Sequence, residues 1–195
     1  AAADLTFTVD GDIALNPVGD FSATVDTATF QSANSTDPLV IIKNTTDDAN
    51  GARLRFVKDR GGAGAADDVA GLIEFYADDA AQDQVLFAKM EAAVAVHTNG
   101  QEGGKLSLGV ATHDGEFQNG LILTDGNNED EIDVTIGNGP GSLTTIAGDM
   151  DMPTGCFALG SDASGDMYYR DADGLLTRIA VGSDNHVLTL DGAVP

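Results

Sequence analysis

The sequence predicts an all-β fold, an antiparallel meander or sandwich-like domain with short-strand segments on either side. Three features carry that expectation. Apolar residues recur at every second position over runs of five to ten residues, which puts one side of each run against a core. Clusters of Gly, Asp and Asn bound those runs, as turns do. With 24 Gly and no Trp in 195 residues, each run has little to bury and many turns to serve.

The chain begins with short extended pieces, Leu5 to Val9, Ile13 to Leu15 and Phe21 to Val25, punctuated by Asp10-Gly11-Asp12, Asn16-Pro17 and Gly19-Asp20. Strands this short close no core of their own. The central stretch is stronger. Asp37-Pro38 opens Leu39 to Asn44 and Asn50-Gly51 opens Ala52 to Lys58; Val69 to Ala77, Gln84 to His97, Lys105 to Thr112 and Glu116 to Thr124 follow, about six strands in series. Lys105 to Thr112 shows the pattern most clearly, with Leu106, Leu108 and Val110 alternating with Lys105, Ser107 and Gly109. Gln84 to His97 carries Ala88, Met90, Ala92 and Ala93, all good helix formers. At period two, however, Leu86, Ala88, Met90, Ala92, Val94 and Val96 share one side while Lys89, Glu91 and His97 share the other, so it reads as a strand.

Beyond Asp125 the alternation returns in Ile132, Val134 and Ile136, breaks at Gly137 to Gly141, and resumes in Leu143 to Ile146. Asp166 to Arg170 and Leu175 to Ile179 flank Asp171-Ala172-Asp173-Gly174, a hairpin signal. A weak repeat surrounds it: Ala158-Leu159-Gly160-Ser161-Asp162 is echoed 22 positions later by Ala180-Val181-Gly182-Ser183-Asp184. The expected organisation is an N-terminal short-strand segment (1–37), a central β domain (38–126), a further β segment (127–154) and C-terminal short repeats (155–195). The start at Ala1 without Met, and the stop just after Asp191-Gly192, read as a processed product or a piece cut from a longer chain.

Charge narrows the functional classes. With 32 acidic against 9 basic residues, a formal charge of -23, the chain would repel a phosphate backbone, so nucleic acid is a poor partner. Arg53, Arg55, Lys58 and Arg60 gather four of those bases, and no Lys or Arg occurs between Leu106 and Tyr169. Such acidity suits a salty or cation-rich setting in which self-repulsion is screened. No apolar run is long enough to cross a membrane as a helix. Cys156 is the lone cysteine, which precludes an intrachain disulfide and a thiolate metal cluster.

No catalytic constellation emerges, and no catalytic, cofactor-binding or metal residue is assigned. His97, His113 and His186 are far apart in sequence, no Ser sits in a nucleophile-elbow context, and paired carboxylates carry no weight among so many acids. The chain therefore reads as a non-enzyme without cofactor. Two acidic features admit two readings. The doublets Asp47-Asp48, Asp67-Asp68 and Asp78-Asp79 fall in predicted turns; Asp47, Asp48, Asp78, Asp79 and Asp114 would converge on one cation if the loops shared an end, or would simply favour turns. Asp125 to Asp133, DGNNEDEID, is rich in oxygen ligands but lacks the sixth-position glycine of an EF-hand, so it reads as a solvated acidic turn more readily than a calcium loop. Arg55 and Glu74, on adjacent predicted strands, could pair across them.

Several segments together resemble tail-fibre and related virion proteins of tailed bacteriophages, marine ones among them. They are Gly51-Ala52-Arg53-Leu54-Arg55-Phe56-Val57-Lys58-Asp59-Arg60-Gly61, Gly71-Leu72-Ile73-Glu74-Phe75-Tyr76 and Gly103-Gly104-Lys105-Leu106-Ser107-Leu108. Asp133-Val134-Thr135-Ile136-Gly137 with Thr144-Thr145-Ile146-Ala147-Gly148 is similar to the shaft-like stretches of such fibres. Gly165-Asp166-Met167-Tyr168-Tyr169-Arg170 and Leu176-Thr177-Arg178-Ile179-Ala180-Val181-Gly182-Ser183-Asp184 resemble their short repeats. The resemblance implies an intertwined, elongated homotrimer in an extracellular virion appendage that supports host attachment. Its partners would be its own copies, other tail or baseplate proteins, and a host surface receptor. An acidic, cation-dependent adhesin or surface-layer protein would share the composition, and calcium-dependent melting would distinguish it.

Overall fold

A computed structural model of the chain describes residues 19–153, 166–172 and 176–179. It divides into two units, Ala1–Ala63 and Gly64–Pro195.

In the described part of the first unit the backbone forms no strand and its side chains are exposed. Short turns shape it locally. The Asp48 carboxylate accepts from the Asn50 amide at 2.8 Å, Asn44 Oδ1 from the Thr46 amide at 2.9 Å, and Asp59 Oδ1 from the Gly61 amide at 2.9 Å. Asx turns of this kind are what Asp and Asn favour between extended stretches. The strands expected at Phe21 to Val25, Leu39 to Asn44 and Ala52 to Lys58 therefore do not form within this chain. The physical reason is pairing: apolar patterning fits a segment to a sheet, but a strand also needs a neighbour for its N–H and C=O groups. A pairing of Arg55 with Glu74 falls with it, because residue 55 lies on no strand and Glu74 lies opposite Lys89.

The second unit holds an antiparallel five-stranded sheet of order β1-β2-β3-β4-β5. Its strands are β1 (Val69–Asp78), β2 (Gln84–Val96), β3 (Gly103–Ala111), β4 (Phe117–Asp125) and β5 (Ile132–Ile136). A separate two-stranded sheet pairs β6 (Met167–Arg170) with β7 (Leu176–Ile179). Among the described residues there is no helix. Of the two arrangements expected for the central strands, the sheet takes the meander. β2 settles the ambiguous Ala-rich run as a strand of 13 residues. β5, read from sequence within the segment 127–154, pairs with β4 in the same sheet, Leu123 opposite Val134. Leu143 to Ile146 forms no strand.

Each hairpin closes with chemistry visible in its residues. Between β1 and β2, Asp79 Oδ1 accepts from the amides of Ala81 at 2.7 Å and Asp83 at 3.0 Å. Between β3 and β4, Thr112 Oγ1 donates to Asp114 Oδ1 at 2.8 Å, and Gly115 takes the left-handed conformation (φ 85°) that an L side chain resists. Before β1, the backbone of Asp67 and Asp68 bonds to Val94 in both directions, at 2.8 and 2.9 Å, extending the ladder past a bulge. In the β6–β7 hairpin Arg178 donates to Asp166 at 3.2 Å and Thr177 Oγ1 to Asp171 at 2.7 Å. The pieces Leu5 to Val9 and Ile13 to Leu15, the weak repeat, Cys156 and His186 lie outside the described residues.

Candidate functional site

The register sorts the sheet's side chains into two unlike faces. On one, Ile73, Met90, Leu108, Leu121 and Ile136 stand in a row across all five strands. Beside it run Gly71, Ala92, Leu106, Leu123 and Val134, then Phe75, Ala88, Val110 and Gln118. These rows carry no ionisable group, but farther along the same face the register places Asp125 opposite Ile132 and, past the bulge in β1, Tyr76 opposite Leu86 and Asp78 opposite Gln84. On the other face the rows are Leu72, Glu91, Ser107, Ile122 and Thr135; Glu74, Lys89, Gly109 and Asn119; and Val69, Ala93, Lys105, Thr124 and Asp133. Successive side chains point to opposite sides of a strand, so the alternation in each run produces this division directly.

The polar face covers itself. Lys89 Nζ donates to Glu91 at 2.9 Å and lies 4.9 Å from the centre of the Phe117 ring, so its aliphatic stem spreads along the sheet. The Phe117 ring fits because position 109 is Gly; a Cβ there would overlap the ring and the Gln118 carbonyl. On the same face lie Ser107, 2% exposed, and Ala93, 8% exposed.

The apolar face is partly open, with Leu106, Leu108, Leu121 and Leu123 half-buried. Phe75, Val110, Val134 and Ile136 are each more than half exposed. Among the described residues no large side chain is fully buried. Between Ile73, Phe75, Met90, Leu108, Val110 and Leu121 the face dips into a hollow of about 420 Å³ that admits almost no polar atom. Ala88, Lys89, Gly109 and Gly120 complete its lining, and almost none of the surface it exposes is polar. What it can do is bury apolar surface, at about 25 cal/mol per Å² removed from water.

The acidic features behave as turn formers. Hairpin alternation brings Asp79 and Asp114 to one end of the sheet, but each carboxylate is engaged within its own turn. Asp47 and Asp48 belong to the first unit, where Asp48 binds Asn50. Among the described residues no three His, Cys, Asp or Glu gather closely enough to hold a metal ion. Of the five carboxylates expected to converge, Asp47, Asp48, Asp78, Asp79 and Asp114, the three in the second unit, Asp78, Asp79 and Asp114, make no metal-holding group.

In DGNNEDEID, Glu131 Oε2 accepts from the amides of Asn127 at 2.7 Å and Asn128 at 2.9 Å, and from Asn128 Nδ2 at 3.0 Å. The Asn127 and Asn128 amides hold the Glu131 carboxyl below its ordinary range, and the Gly100 amide does the same for Glu102. Hydrogen bonding from the Asn50 amide lowers Asp48, and the Thr112 hydroxyl lowers Asp114. All four shifts come from hydrogen bonds that favour the charged form. His97 and His113 are exposed, the first just past β2 and the second in the β3–β4 turn.

Sequence reasoning identified the alternating residues but not the partly open face they make. The signal lay in the supply of strands: a five-stranded meander has one apolar side, and covering it takes a second layer.

No protein-family model matches the chain, and no curated protein or solved structure matches it.

Proposed function

We propose that the chain is a structural, non-catalytic subunit of a trimeric fibre, part of an extracellular virion appendage such as a phage tail fibre. The observation that carries this reading is the partly exposed apolar rows of the sheet in a chain whose described residues bury no large side chain. A single sheet with one face in water leaves the entropy of ordering its backbone largely unopposed. A subunit that folds by packing against copies of itself resolves that deficit, and symmetric homo-oligomers are the common solution. The segment Leu39 to Ile42 supports the same reading, since four consecutive exposed apolar residues suit a strand covered on both sides. The assignment to a virion appendage rests on the sequence resemblance.

Negative-stain electron microscopy of the purified chain tests this. Narrow rods of constant width are the expected result, and round single-copy particles would overturn it. Incubation with bacterial surface polysaccharide should release no reducing ends above a blank; release would make the chain a depolymerase.

A further inference from the structure

We infer that Asn138 is a site of spontaneous covalent modification, where the side chain closes on the Gly139 backbone nitrogen, loses ammonia and reopens to aspartate and isoaspartate faster than at the chain's other Asn-Gly pairs. The inference stands apart from the fibre reading.

The reaction favours Asn followed by Gly, because glycine has no Cβ to hinder its own nitrogen. That nitrogen gives its proton to hydroxide and bonds to the Asn Cγ. The bond from Cγ to the side-chain nitrogen breaks, and ammonia leaves with a proton from water. Water then opens the five-membered imide. Addition at Cγ leaves aspartate; addition at the backbone carbonyl leaves isoaspartate, whose main chain runs through the side chain. The rate is set by how freely the two reacting groups can meet.

The chain places this dipeptide in four surroundings, Asn50-Gly51, Asn99-Gly100, Asn119-Gly120 and Asn138-Gly139. Asn119 lies inside β4, between β3 and β5, with its Oδ1 shut off from solvent. Bringing its side chain onto Gly120 requires the sheet to open locally. At Asn99 the Gly100 amide donates to Glu102 Oε1 at 2.9 Å. That carboxylate holds the proton on the nitrogen and repels the negative charge its loss would leave. At Asn50, Nδ2 donates to Asp48 Oδ2 at 3.1 Å and the carbonyl accepts from Asn44 Nδ2 at 3.0 Å, so the side chain is tied to Asp48.

Asn138 carries none of these restraints. It follows β5 in the bend that Gly137 opens, and its side chain is exposed. Its backbone amide donates to Ser142 Oγ at 2.7 Å, which anchors the loop and leaves both reacting groups free. Among the described residues neither its side-chain amide nor the Gly139 N–H has a hydrogen-bond partner, and open space surrounds Gly139. The Gly137 amide, bonded to the Gly120 carbonyl at 2.8 Å, fixes the chain just before it. Isoaspartate would lengthen the main chain between that anchor and Ser142, and either product adds a carboxylate to an acidic chain.

The test is to age the full chain in mildly alkaline heavy-oxygen water and map its peptides by mass spectrometry. Conversion replaces the side-chain amide by a carboxyl that carries the heavy label. Isoaspartate is confirmed by methyl transfer from S-adenosylmethionine by a methyltransferase specific for that carboxyl. Position 138 should convert about tenfold or more faster than position 119, which reacts only on local opening, and faster than positions 50 and 99. Comparable rates at 138 and 119, or a faster rate at 50 or 99, would overturn the inference. In the urea-unfolded chain the four positions should convert at similar rates. An order that persists in urea would assign the cause to neighbouring residues and overturn the structural account.

Discussion

Gly109 works through what it lacks. Its missing side chain admits the Phe117 ring, and Lys89 lies over that ring and pairs with Glu91, so one glycine makes room for this local cluster. Gly109→Ala should lower stability by about 1–3 kcal/mol, the usual cost of forcing extra volume into a packed site, seen as a lower denaturant midpoint. Gly120→Ala is the control: open space surrounds a Cβ there, and its change should stay within about 0.5 kcal/mol. Glu131 makes a prediction in pH. Its folded pKa lies below the ordinary 4.5, so its hold on the β4–β5 turn is fully present above 4.5 and lost as pH falls through the lowered value. The amide proton resonances of Asn127 and Asn128 should titrate together with a midpoint below 4.5, and Glu131→Gln should abolish that titration.

At the scale of elements, Ser107 stands in the middle of β3 with a strand on each side and is 2% exposed. Ser107→Pro removes a ladder donor and should cost about 3 kcal/mol or more, with loss of the β signal in circular dichroism. β1 to β4 were legible because Leu, Ile and Val alternate with polar residues between clear turn signals; even the Ala-rich β2 was decided by period. Leu39 to Asn44 and Ala52 to Lys58 carry comparable apolar patterning without becoming strands here. Patterning reports where side chains point, whereas a strand exists only when another backbone lies beside it. β5 was legible as a strand but not as a member of the sheet, because DGNNEDEID reads equally as a domain boundary and as the hairpin turn that Glu131 makes it. The apolar face was legible residue by residue. Its openness was not, since a covered face and an uncovered one share the same alternation.

At the scale of the whole molecule, two opposed quantities would govern the proposed assembly. The apolar face favours association, and a formal charge of -23 on each copy opposes it. Salt weakens only the second, since at 0.1 M it screens charges beyond about 10 Å. The assembly should therefore tighten with sodium chloride, and dilution into low salt should shift its mass toward single copies. Calcium should act no differently from other salts at equal ionic strength, because the carboxylates of Asp48, Asp79, Asp114 and Glu131 are engaged in their own turns. The most direct measurement is the native mass by light scattering at moderate salt, with and without a calcium chelator. A mass of three copies that the chelator leaves unchanged is the expected result. A single-copy mass, or an assembly that falls apart on chelation, would contradict a fibre held together through its apolar sheet faces.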